Sequence, residues 1–307
     1  PESVPWTYIH LWIAKDVASA MAQRGRGRDS AHAADGDSGN AMDARDEMAV
    51  AGFFFGAIAP DVGLLVGTPR AKTHYWAPGD DASGWVGASR LPTAHPHLGS
   101  YRLSNTERAF VAGYLCHLAT DEQWIRTIYE RYFGPQTRYA AGPEGSALQQ
   151  ALYTLVERRH STPVANGGDR GDGDEPATER GAVADHPWVA TLTQALQLPL
   201  HEDLLPFTAA DDLRRFLDAQ LALAAVPVGA ERYRLWTHLR AGFAASTAQS
   251  PSPPASTMIE ARLMERLPEL EAQVAELVQN ADLERLHRRA VSEGTELLRK
   301  YLASCPV

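Results

Sequence analysis

AFVAGYLCHLATDEQW, residues 109–124, reads as a buried helix that carries two ionisable residues on one side. Phe110, Val111, Tyr114, Leu115, Leu118 and Trp124 surround His117 and Asp121, which stand at i and i+4 and so project the same way from the helix. Groups of this kind are rarely buried without partners. Either the two pair with each other or both hold something charged. Ser104 and Glu107 have the Ser-x-x-Glu spacing of a capping box, which sets the helix start. The helix is expected to run on to Tyr132 and to end at Gly134-Pro135.

Upstream, residues 6–21 form a helix with Ile9, Trp12, Ile13 and Val17 at helical spacing and His10 within that stripe. The apolar run MAVAGFFFGAI, residues 48–58, stops against Pro60 and places Asp61 at the start of a structured loop. A proline-containing turn then leads to KTHYW, with His74 in the middle. Taken singly, each has an ordinary reading: a core histidine, a turn aspartate, a loop histidine. Arg70, Lys72 and Tyr75 flank His74, where they could hold a phosphate or simply face solvent. Residues 77–105 read as loop, and His95 and His97 around Pro96 mark an exposed turn more simply than a chelate.

Downstream, residues 146–159, 187–198, 208–225 and 230–245 read as helices, the third with a capping-box-like Thr208 and Asp211. His201 and His238 have no ligand-type neighbour at i+4 and read as structural. Residues 23–47 and 160–186 are rich in Gly, Asp and Arg and read as flexible insertions, with His32 a solvated residue and DRGDGDE a solvated acidic tract rather than an EF-hand loop. Residues 246–256 form a Pro/Ser linker. Residues 257–307 form an amphipathic helical extension with Pro268 inside it and a break near Asn280. Its stripe of Leu263, Leu267, Leu270, Val274, Leu277 and Val278 would pack on the main domain, residues 1–245, or form a homo-oligomer contact. Glu284 and His287 read as a surface pair, since a carboxylate-bridged di-iron bundle needs a second Glu-x-x-His. No strand pattern emerges, so the fold class is all-α.

The formal charge of −9 and the lack of an aromatic-basic groove argue against nucleic acid as a partner. Two cysteines, Cys116 and Cys305, make neither a disulfide framework nor a cysteine zinc site. There is no basic leader and no spanning apolar run, so the expectation is a cytoplasmic protein without a transmembrane segment.

WTYIH, GAIAPD, KTHYW and AFVAGYLCHLATDEQW, in that order, resemble the zinc-dependent phospholipase C family, in particular its compact bacterial relatives, over about residues 6–132. That fold, a multi-helix bundle, is shared with single-strand-cleaving zinc nucleases. The resemblance implies one zinc held by Asp61, His74, His117 and Asp121, and a second held in part by His10 with Asp121 as the bridge. It implies Asp61 and Asp121 as the catalytic carboxylates of a phosphate-ester hydrolase, acting on a lipid or small-molecule ester. The phospholipases build a further position from two histidines and a glutamate soon after this helix, whereas no histidine lies between His117 and His160. One or two zinc ions are therefore expected. The competing expectation is a non-catalytic helical binding or scaffold protein with a structural or residual metal. A third is an iron site, which these ligand types also suit.

Overall fold

Two helices that are apolar on nearly every side fix the interior. The computed structural model describes residues 7–29, 46–75, 87–99, 103–140, 142–161, 187–246 and 265–305, and every regular element among them is a helix. The first helix, α1, spans Thr7–Asp29, and α2 spans Glu47–Gly56. Asp46 caps α2, its carboxylate accepting from the Met48 and Ala49 amides at 3.1 Å. A 3-10 turn, Ala59–Val62, and the short helices α3 (Gly63–Val66) and α4 (Arg70–Thr73) follow. After α5 (Gly87–Ala94) and a second 3-10 turn (Pro96–Gly99) comes the central helix, α6 (Asn105–Trp124). Its capping box forms as the sequence predicts, with Ser104 and Glu107 bonding reciprocally. A π-helical segment, Ile125–Phe133, prolongs it to Gly134. The remainder comprises α7 (Pro143–Ser161), α8 (Pro187–Ala195), α9 (Ala210–Ala224), α10 (Ala230–Ser246), α11 (Leu267–Leu277) and α12 (Asn280–Ser304).

The centre of the packing is α6, which touches α1, α2, α5 and α12. Phe53, Phe55, Phe110 and Tyr114 are fully buried along the α2–α6 seam, and each such side chain stabilises by roughly 1.5–3 kcal/mol relative to exposure. Glycine brings these helices together. A Cβ on Gly113 would sit 1.9 Å from the Phe53 carbonyl oxygen, and one on Gly56 would sit 1.9 Å from the Phe110 carbonyl oxygen. The two backbones are therefore in contact.

The C-terminal helices share this core. Leu286, Ala290, Leu298 and Tyr301 of α12 are buried, and Gly294 lies against Val17 of α1 and Cys116 of α6. The buried Asp282 accepts from the Tyr132 hydroxyl at 2.5 Å and pairs with Arg131 at 2.9 Å, anchoring the start of α12. The expected break near Asn280 falls at Val278 and Gln279, both extended. Pro268, however, sits in the first turn of α11, where a missing N–H is harmless.

Several boundaries differ from expectation. Residues 23–29 of the first expected insertion continue α1, and residues 160–161 of the second end α7. Asp46 and Glu47, expected in the first insertion, cap and begin α2. Residues 30–45 and 162–186, including His32 and the DRGDGDE tract, lie outside the described residues, as does most of the linker. The expected loop at 77–105 contains α5. Burial of Ala88 and Leu91 beside α6, and an Ala88 amide bond to Glu122 at 3.1 Å, outweigh the one hydrogen bond that Pro92 removes. Thr208 does not cap α9, whose N-cap is Ala209. Glu284 and His287 do not pair: His287 bonds Asp16 at 2.8 Å and Glu284 bonds Arg288 at 3.4 Å. Among the described residues no single helix is long and apolar enough to cross a membrane.

Candidate metal centre

Four separate segments deliver the five residues named above to one buried point. His10 comes from α1, Asp61 from the 3-10 turn, His74 from the end of α4, and His117 and Asp121 from α6. None is more than 9% exposed. Their ligand atoms gather in two groups that share His117: His10, Asp61 and His117, and His74, His117 and Asp121, each within 4.8 Å. His10 stacks flat on His117, with ring centroids 3.7 Å apart and planes 12° apart.

The hydrogen bonds fix which ring atoms face inward. His117 Nδ1 lies 2.9 Å from the Ala57 carbonyl oxygen. A carbonyl can only accept, so Nδ1 carries the proton and Nε2 turns a lone pair into the cluster. His74 Nε2 lies 3.1 Å from His117 Nε2, and His74 Nδ1 lies 2.7 Å from the Thr73 hydroxyl. Without a metal these contacts form a chain. Thr73 donates to His74 Nδ1, His74 Nε2–H donates to His117 Nε2, and His117 Nδ1–H donates to Ala57. A hydroxyl both donates and accepts, so Thr73 equally supports the other His74 tautomer, in which Nε2 has a lone pair for a metal.

The remaining separations suit a shared cation. His74 Nε2 is 3.4 Å from Asp61 Oδ1 and 3.4 Å from Asp121 Oδ2, while His117 Nε2 is 4.0 Å and 3.8 Å from the same oxygens. Four tetrahedral ligands of a zinc ion, each about 2.0–2.1 Å from it, stand ~3.3 Å from one another. The His74 separations lie at that value, and the His117 separations lie roughly half an ångström or more beyond it. His10 Nε2 is 3.4 Å from the other oxygen of Asp121, and His10 Nδ1 is buried with no hydrogen-bond partner. His10 Nε2, two carboxylates and the inward lone pairs form a donor set that fits a divalent metal.

The electrostatics agree. Burial alone would push both carboxyls up, but His117 and His74 hold Asp61 below the usual carboxylate range, and Arg70 and His10 hold Asp121 well below it. Burial, then the neighbouring His10, pushes the His117 imidazole down to about 3. Burial, then Arg70, pushes His74 down as well. At neutral pH the point therefore presents anionic oxygens and, at His74 and His117, neutral imidazoles, the protonation states that metals need.

Sequence reasoning named Arg70, Lys72 and Tyr75 beside His74 but missed Thr73, Ala57 and Gly113. Arg70, expected to flank the site, hydrogen-bonds Asp121 and lies 3.7 Å from Asp61. Thr73, the Ala57 carbonyl and Gly113 support His74 and His117, and the only sequence signal for them is their place beside the ligands. Tyr114 buttresses the same corner, donating to the Thr73 carbonyl at 2.6 Å. Tyr75 has φ 58°, an uncommon backbone state for a non-glycine residue, and its hydroxyl is buried without a hydrogen-bond partner. Lys72 is exposed. Among the described residues no other histidine joins these groups: His97 contacts the Leu204 carbonyl at 3.3 Å, and His160 stacks on Trp12.

Comparison of the chain with known protein families, curated proteins and solved structures found no match.

Proposed function

We propose that this chain is a zinc-dependent hydrolase of phosphate esters, acting on a lipid or small-molecule diester or monoester. The observation that supports this reading best is the convergence of His10, Asp61, His74, His117 and Asp121 from four segments, with the His117 tautomer fixed by a backbone carbonyl. Asp61, His74, His117 and Asp121 would hold one ion. Asp121, whose two oxygens face different imidazoles, would share a second with His10.

When bound, zinc supplies Lewis acidity toward a phosphoryl oxygen and lowers the pKa of water. The chain's own residues do the rest. Asp61, held ionised, would accept a hydrogen bond from an attacking water and orient it, while Asp121, also ionised, would hold metal. Thr73 and Ala57 keep the His74 and His117 rings turned inward. The surrounding core excludes bulk water, so each charge acts at low dielectric.

One observation favours a second reading. The same burial suits a closed structural metal site in a binding or scaffold protein. Metal quantification on the purified protein, followed by assays with phosphate mono- and diesters before and after chelation, separates the two. Hydrolysis that chelation abolishes, zinc restores and Asp121→Asn lacks supports the hydrolase. Bound zinc that stabilises the fold without turnover supports the scaffold. A protein that carries no metal and is indifferent to chelation rules out both.

A further inference from the structure

Arg70 stands in an unusual place for a residue at the start of a four-residue helix. Its guanidinium reaches across the mouth of the cluster to both carboxylates, bonding Asp121 Oδ2 through Nη2 and lying 3.7 Å from Asp61 Oδ1 through Nη1. Those are the two oxygens that also face His74 Nε2. The Arg70 side chain is 24% exposed, against 6% for Asp61 and 12% for Asp121, so it lies on the solvent side of them.

Charge then assigns it two states. Without a metal, two buried carboxylates share this corner, and both face the Arg70 guanidinium. Arg70 supplies positive charge there. A bound dication cancels both carboxylates by itself, and Arg70 becomes surplus positive charge at the mouth. A guanidinium has five N–H donors in a rigid fork that matches phosphate oxygens two at a time. The two carboxylate contacts leave further donors of this partly exposed fork over.

We infer that Arg70 is the phosphoryl-recognition residue of this site: a counter-ion to Asp61 and Asp121 in the metal-free protein, and a fork for the anionic oxygens of a phosphate ester once metal is bound. The inference rests on the zinc reading above. It makes the ligand an oxyanion of tetrahedral phosphate and gives Arg70 a binding role.

The test uses the full chain as wild type, Arg70→Gln and Arg70→Lys, each loaded with zinc. Zinc content is quantified, helicity is checked by circular dichroism, and inorganic phosphate is titrated by calorimetry. Arg70→Gln is expected to retain the wild-type zinc content and to bind inorganic phosphate ~10–100-fold more weakly, the loss expected for a charge-assisted bond. Arg70→Lys keeps the charge without the fork and falls between. In the metal-free state Arg70→Gln melts below wild type, and zinc narrows the gap. Phosphate affinity within twofold of wild type in zinc-loaded, folded Arg70→Gln overturns the inference and leaves the zinc reading standing. A wild-type chain that takes up no zinc overturns the zinc reading and this inference with it.

Discussion

His10 and Trp12 stand two residues apart on α1, both stack on imidazoles, and they build different things. On one side His10 lies flat on His117, and ring edges, nitrogens and carboxylate oxygens converge. On the other side Trp12 stacks on His160 at 4.0 Å and on His287 at 4.2 Å, and Asp16 closes the group through His287. The second region also combines histidines with an aspartate, yet its rings meet a third ring by their faces. Its members are partly open, with His287 23% and Asp16 38% exposed. Among the described residues its ligand atoms do not gather as those of the first region do. Residue type is therefore a poor guide to a metal site. What separates the two regions is a second carboxylate, burial, and a backbone acceptor that fixes the tautomer.

Asp121→Asn tests that contrast with the largest effect. It removes the oxygen pair that faces His10, His74 and His117, and zinc affinity should fall by more than the ~10–100-fold typical of losing a supporting hydrogen bond. Asp16→Asn should leave zinc content untouched. Equal zinc in the Asp121 variant would erase the distinction between the regions.

Gly113→Ala comes next. Its methyl would meet the Phe53 carbonyl at 1.9 Å, so a loss of at least ~3 kcal/mol is expected in urea denaturation, at or beyond the upper end of ordinary overpacking. A loss below 1 kcal/mol would mean that the α2–α6 contact is not tight.

Thr73→Val keeps the shape and deletes the hydroxyl at His74 Nδ1. Zinc affinity should drop ~10–100-fold with little change in stability, and an unchanged affinity would remove Thr73 from the site.

In the metal-free protein, acid acts on the first region. His117 is held at about 3 in the fold against an ordinary 6.5, so below pH 6.5 the unfolded chain binds a proton that the folded chain refuses. Stability should therefore fall steadily as pH drops from about 6.5 toward 3. The lowered Asp61 and Asp121 act in the same direction below the ordinary 3.8. A flat denaturation midpoint between pH 7 and pH 4 would contradict this.

His287→Ala should have the smallest effect, below about 1 kcal/mol, because the pair it breaks is partly solvated. A larger loss would promote the Trp12 stack from surface ornament to structural joint.

The all-helical class was legible because α2 and α6 write their burial directly in apolar residues, and the His117–Asp121 spacing names one face of a helix. His10, Asp61 and His74 were legible as candidates through their order in the chain, but their meeting is a matter of tertiary packing. Arg70 was legible as a residue that could hold a phosphate or face solvent, but nothing in PRAKT tells that its side chain reaches both carboxylates. α5 was hidden by Pro92, whose local preference the contact with α6 overrides. His287 and Asp16 are separated by most of the chain, and no local pattern joins them.

The glycines of the α2–α6 seam have a consequence beyond packing. Ala57 presents its carbonyl to His117 only because Gly56 and Gly113 let two backbones touch. The spacing between the helices thus works as a gauge that sets the angle of an imidazole. Gly52, whose added methyl would stand 2.7 Å from the Thr106 carbonyl, lies further along the same seam and offers a finer adjustment than Gly113. On the zinc reading, metal affinity would be tuned by shimming two helices apart, with all five proposed ligands left in place.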